Sequence, residues 1–193
     1  MGRGVTLSIA AGLLCLLAVV VIGGALVAYN RLVRRRNQVL ASWAQIDVQL
    51  KRRYDLVPNL VETVRGYASH ERATLDAVAA ARSTAIAAAG TPGAADRADA
   101  ENVLTHALGR LFALAEAYPE LKANQNFAAL QGELARTEDK IAYARQFYNS
   151  AVQTFNTSVQ TIPTNLIAGI AGFRPMDFFQ AVDGERAAVQ VRY

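Results

Sequence analysis

Residues Val5 to Tyr29, VTLSIAAGLLCLLAVVVIGGALVAY, carry no charge, and the uncharged run extends from Gly4 to Asn30 before Arg31, Arg34, Arg35 and Arg36 close it. A helix rises about 1.5 Å per residue, so some 20 apolar residues cross the roughly 30 Å hydrocarbon core of a bilayer. The run contains thirteen Leu, Ile or Val residues. At roughly -0.3 to -0.6 kcal/mol each they give a gross insertion drive of about -4 to -8 kcal/mol. The expectation is a transmembrane helix over residues 5–29 after a four-residue tail.

Other uses of this run fit less well. A cleaved signal peptide has an apolar region of about 7 to 15 residues followed by small residues, and Leu26-Val27-Ala28 is a poor cleavage site. Cys15 is preceded by bulky Leu14, which argues against a lipoprotein signal, so it reads as an apolar thiol. Gly24 and Ala28 form one small-xxx-small pair of the kind that lets two helices approach. Four arginines follow the span and only Arg3 precedes it, so the positive-inside bias places residues 30–193 in the cytoplasm. The lone cysteine agrees with a reducing compartment.

The formal charge of +4 is not a property of the soluble part. Residues 1–36 hold five Arg and no acid, leaving fifteen basic against sixteen acidic residues in 37–193. A nucleic-acid binder needs a basic face on its folded domain, so nucleic acid is not an expected partner. The arginines are better matched to anionic lipid headgroups beside the anchor. The remaining residues suit one domain, and their Ala-rich composition favours helices.

Val39, Trp43, Ile46 and Leu50 mark an amphipathic stripe, after which Lys51, Arg52 and Arg53 read as a solvated, cationic helix end. Asp55 as a cap with Pro58 in the first turn then predicts a helical hairpin at 54–57. The competing reading is one helix kinked at Pro58, because Trp43, Leu50, Val57 and Val64 keep a seven-residue register through it. The next helix uses Leu60, Val61, Val64, Tyr67, Leu75 and Val78 and stops at Gly90-Thr91-Pro92-Gly93. Thr91 and Pro92 open a third helix with Leu104, Leu108, Leu111 and Ala115 as its apolar face, ended by Tyr118-Pro119.

The fourth helix carries Phe127, Leu134, Ile141, Tyr148, Phe155 and Ile162 every seven residues, with Leu130, Thr137, Ala144, Ala151 and Ser158 as a second seam. Pro163 ends it. Residues 163–193 read as an irregular tail that packs on the bundle or touches lipid, with packing preferred and a short strand at Val189, Val191 and Tyr193. The fold class is thus all-α: a transmembrane helix, then an antiparallel bundle over 30–162, of four helices or of three long ones if Pro58 is only a kink.

The block AQIDVQLKRRYDLVPNLVETVRGYASHE, Ala44 to Glu71, closely resembles the signature region of the LemA family of bacterial membrane proteins. YNRLVRRRNQVLASW upstream, AENVLTHALGRLFALAEAYPELKANQNFAALQGELARTEDKIAYARQFYN downstream and NTSVQTIPTNLIAGIAGF resemble the same family in the same order. The Ala-rich region around 85–100 and the tail after Pro175 depart from it. The resemblance implies an N-terminal anchor in the bacterial inner membrane, a helical bundle and no established enzymatic activity. It also implies proximity to membrane quality control, including a zinc-dependent membrane protease, and kinship with a participant in magnetosome formation.

The chain has two histidines, His70 and His106, and neither lies in H-E-x-x-H or in a Glu-x-x-His pair of the kind a di-iron bundle needs. His70, Glu71, Glu101 and His106 are the one set that could meet between helices around a metal ion. G-x-S-x-G, Walker-type and G-x-G-x-x-G motifs are missing. Asn156-Thr157-Ser158 matches a glycosylation acceptor only formally. The expectation is therefore a non-enzymatic, self-associating membrane scaffold or adaptor, without catalytic residue, cofactor or metal, whose partners are the lipid bilayer, a second copy and a membrane protein. The alternatives are a metal-dependent enzyme or sensor using His70 and His106, and a direct membrane-shaping protein.

Overall fold

The computed structural model describes the backbone of residues 2–89 and 94–179, and the side chains of 11–89 and 96–179. Its first element, α1, is one helix from Gly2 to Arg65 with Pro58 inside it, so the chain does not fold back at 54–57. Proline at 58 removes the N–H that would bond the Tyr54 carbonyl. Arg82 replaces it: its Nε donates to the Tyr54 oxygen at 2.7 Å. With that carbonyl satisfied, the seven-residue register wins, and Leu50, Val57, Leu60, Val61 and Val64 stay buried on both sides of the proline. The chain turns instead between Gly66 and Glu71, so Tyr67 lies in the turn, exposed, and accepts a hydrogen bond from Asn124 at 2.9 Å.

Helix α2 spans Arg72–Ala88, α3 Ala94–Ala115, the short α4 Pro119–Lys122, α5 Gln125–Gln160 and α6 Thr164–Ala171. The proposed Thr91-Pro92 helix start lies outside the described residues. Leu104, Leu108, Leu111 and Ala115 are buried as a face of α3, and Pro119 occupies the first turn of α4. No strand occurs among the described residues, and the expected strand at Val189 to Tyr193 lies beyond them.

Helix α5 follows the expected heptads. Phe127, Leu134, Ile141, Tyr148 and Phe155 are buried, as are Thr137, Ala144, Ala151 and Ser158, while Leu130 is half-buried. Ile162 departs from the row at 78% exposure, because α5 stops at Gln160 and the register ends with it. Each fully buried large apolar side chain contributes roughly 1.5–3 kcal/mol, which outweighs the ~1 kcal/mol helix cost of a residue such as Gly132.

The chain divides into two compact units, Met1–Leu40 with Ser150–Met176, and Ala41–Asn149 with Asp177–Tyr193. In the second, contacts fix the helix directions. Arg82 meets Tyr54, across the turn at 66–71, so α2 runs antiparallel to α1. Asp47 meets Arg97 and Arg53 meets Glu101, so α3 runs parallel to α1. Arg53 meets Glu138 and Trp43 meets Tyr148, so α5 returns antiparallel. The result is an up-down-up-down four-helix bundle, with the first turn at 66–71 rather than at 54–57.

The segment after α5 is more ordered than an irregular tail, since 164–171 is helical. In the first unit, Asn156 clamps Met176 with two hydrogen bonds of 2.8 Å, which gives the formal glycosylation site a structural task. In the second, Asn149 clamps Phe179 in the same way at 3.0 and 2.9 Å, and Tyr148 donates to the Asp177 carbonyl at 2.9 Å. Phe179 is buried against Trp43, with the Arg145 guanidinium 4.6 Å from its ring centre. Phe179 itself is thus packed, while Leu166, Ile170 and Phe178 stay exposed.

Candidate functional site

Arg53 occupies a core position of α1, in the seven-residue row Leu32, Val39, Ile46, Arg53 and Leu60, and its side chain is wholly buried. It pairs with Glu101, equally buried, and with Glu138 at 2.8 Å, and it donates to Thr105 Oγ1 at 3.1 Å. Tyr54 donates its hydroxyl to the same Glu101 carboxylate. Three helices are thereby tied through one polar cluster. The helix end expected at 51–53 is absent, since α1 continues to Arg65, and the expected solvation holds only for exposed Lys51 and Arg52, which pair with Asp55 and Glu133. Arg53 points the other way because position 53 is the core position. Asp55 accordingly caps nothing.

Burial alone would disfavour the Arg53 cation, but the Glu138 and Glu101 carboxylates outweigh it and hold its pKa above the ordinary value. Burial, and then the hydrogen bond to Glu101, pushes the Tyr54 phenol well above its usual range. The folded protein therefore keeps a proton that the unfolded chain releases near pH 10. Stability from this group is fully present below about pH 10 and is lost as pH rises toward the folded value, at no more than about 1.4 kcal/mol per pH unit for one proton. Denaturant titrations from pH 8 to 11 are expected to show that decline, and Tyr54→Phe is expected to flatten it.

Arg53 and Glu101 are fully buried, and Glu138, at 37% exposure, meets solvent. One accessible feature is a groove of about 560 Å³ between α1 and α5, lined by Ala44, Val48, Tyr143 and Ala144 with Gln45, Gln49, Asp139 and Lys140 at its polar edges. Val48 is 64% and Tyr143 71% exposed, on helices whose opposite faces are buried. Asp139 and Lys140 form no ion pair among the described residues. A neighbouring acid and base beside an apolar strip suit another protein surface rather than a small polar substrate.

The four residues considered for a metal are not gathered. His70 lies exposed in the turn after α1 and His106 exposed on α3, Glu71 accepts from Tyr118, and Glu101 is taken by Arg53 and Tyr54. Among the described residues no group of three His, Cys, Asp or Glu side chains is placed to hold a metal ion. Sequence reasoning missed both the cluster and the groove. The cluster had a signal, since counting sevens from Ile46 lands on Arg53.

An apolar N-terminal helix long enough to cross a bilayer, continuous with a four-helix bundle, defines a membrane-associated helical protein. The chain belongs to the LemA family, whose sequence profile matches residues 42–193. Among its relatives, Magnetosome protein MamQ 2 and Magnetosome protein MamQ 1 of Paramagnetospirillum magneticum are each 27% identical over 178 residues, covering 80% of this chain and 65% of theirs. Magnetosome protein MamQ of Magnetospirillum gryphiswaldense is 28% identical over 203 aligned positions, covering 93% of this chain and 74% of its own. The chain thus spans about two-thirds of the length of the first pair.

Proposed function

We propose that this protein is a non-enzymatic, single-pass adaptor of the bacterial inner membrane, self-associating through the α1/α5 groove, with the bundle on the cytoplasmic side. The observation that carries the proposal is the groove: an exposed apolar strip on two well-packed helices, edged by Asp139 and Lys140. A two-fold contact places Asp139 of one copy against Lys140 of the other, which satisfies both charges without a third component. The Arg53 cluster supports the same reading, since its charges are spent on one another and tie the helices together. Membrane proteins recruited to the assembled adaptor are the proposed partners, in membrane protein quality control or envelope stress, with a membrane protease the first candidate. The arginines after the span support the cytoplasmic orientation.

Light scattering of the intact chain in mild detergent tests the self-association. A protein mass of two or more chains is expected after subtraction of the micelle. A strict monomer across micromolar concentrations would end the proposal.

A further inference from the structure

The unit that contains the apolar run presents a second apolar surface. Ile162, Leu166 and Ile170 recur every four residues along the approach to α6 and the helix itself, at 78%, 63% and 88% exposure. Opposite them Ala168 is buried. Isolated exposed aliphatics are ordinary, but two on one face of an eight-residue helix, with a third two residues ahead of its start, are not.

The depth of this row follows from contacts within the same unit. Arg35 donates to the Thr154 carbonyl at 3.3 Å, and α5 runs antiparallel to α1, so Gln160 at the end of α5 comes level with Tyr29. Phe173, just beyond α6, packs on Tyr29 with ring centres 5.9 Å apart and on Phe155 at 6.3 Å. Tyr29 is the last residue of the apolar run. The α6 segment is therefore held between two points, both level with the place where that run ends. Ala25 and Ala28 are the residues of 11–30 that are partly covered, which puts neighbouring structure beside the run's final turns.

Charge agrees with that depth. Residues 146–173 contain no charged side chain, and Arg174 follows at once, as Arg31 follows Tyr29. In Met1–Leu40 and Ser150–Met176 together the charged side chains are Arg3, Arg31, Arg34, Arg35, Arg36 and Arg174, with no acid among them. A segment stripped of charge, bracketed by arginine and aromatic residues, has the composition of a membrane interface rather than of a protein contact exposed to water.

We infer that α6 lies in the headgroup region of the bilayer, with Ile162, Leu166 and Ile170 in the acyl boundary and the arginines at the phosphate level. The protein then grips one leaflet at two places, through the α1 span and through α6. This arrangement stands independently of the α1/α5 groove.

The test uses the full chain with Cys15→Ser, carrying an environment-sensitive fluorophore at Leu166→Cys or Ile170→Cys, in vesicles of phosphatidylcholine and phosphatidylglycerol. Val103→Cys, exposed on α3, is the reference. Labels at 166 and 170 are expected to emit at shorter wavelength than at 103. Lipids brominated near the top of the acyl chain are expected to quench them about twofold or more, leaving 103 unaffected. Emission and quenching equal to the reference would overturn the inference. Blue-shifted emission without quenching by brominated lipid would overturn it as well, since a protein surface would then be the occupant. Helicity and solubility matching the parent verify that each labelled variant is folded.

Discussion

Arg53→Leu is expected to destabilise the bundle by about 3–5 kcal/mol, the largest effect of any single substitution considered for this chain. The reason is what it leaves behind. Glu101 has no exposure, and with Arg53 removed it keeps only the Tyr54 hydroxyl, so a carboxylate stays buried without its cation. Glu138, at 37% exposure, turns to water instead. The design of the test follows from this asymmetry. Replacing Arg53 and Glu101 by Leu with Tyr54→Phe removes the three buried polar side chains, leaving only part-exposed Thr105 and Glu138, and is expected to recover most of the loss, because apolar groups of similar volume need no partners. Urea unfolding of the three proteins measures both steps. If the single and triple replacements were equally destabilised, burial of the unpaired Glu101 charge would not be the cause.

The second large effect is on association. Val48→Glu with Tyr143→Glu puts two carboxylates into the groove beside Asp139 in each copy, and a two-fold contact doubles the like-charge count. A weakening of self-association by at least about 100-fold is expected, which corresponds to roughly 2.7 kcal/mol. Both side chains are exposed, so chain stability is expected to change by no more than about 0.5 kcal/mol each. Sedimentation at several concentrations reads the first quantity and thermal melting the second. Loss of association accompanied by unfolding would instead mark these residues as part of the core.

How much of this was legible in the sequence depends on the kind of signal involved. The apolar run is legible because it is long and free of charge, and the α5 heptads because burial repeats them every seven residues. The hairpin at 54–57 was misread because Pro58 is a local stop signal, and its cost is offset by Arg82, 24 positions later in the chain, reaching the Tyr54 carbonyl. No local pattern contains that contact. Arg53 was misread through its neighbours: a run of three cations looks solvated, and only the heptad count separates the third from the other two. The groove depends on which faces of α1 and α5 are left uncovered after folding, so exposed Val48 and Tyr143 carry no mark of their own in the sequence. Family likeness agreed with the membrane association and the bundle already read from the residues, and left the chemistry of recognition to the geometry.

The central claim is that this membrane-held bundle works by contact with another protein surface through the α1/α5 groove. The most direct measurement replaces Tyr143 with a photo-crosslinking amino acid in the full chain expressed in cells, with Val103 on α3 as the reference position. Irradiation is expected to yield a species at twice the mass of the chain from position 143 and not from 103. Irradiation that leaves the chain monomeric and unattached to protein at position 143 would contradict the claim.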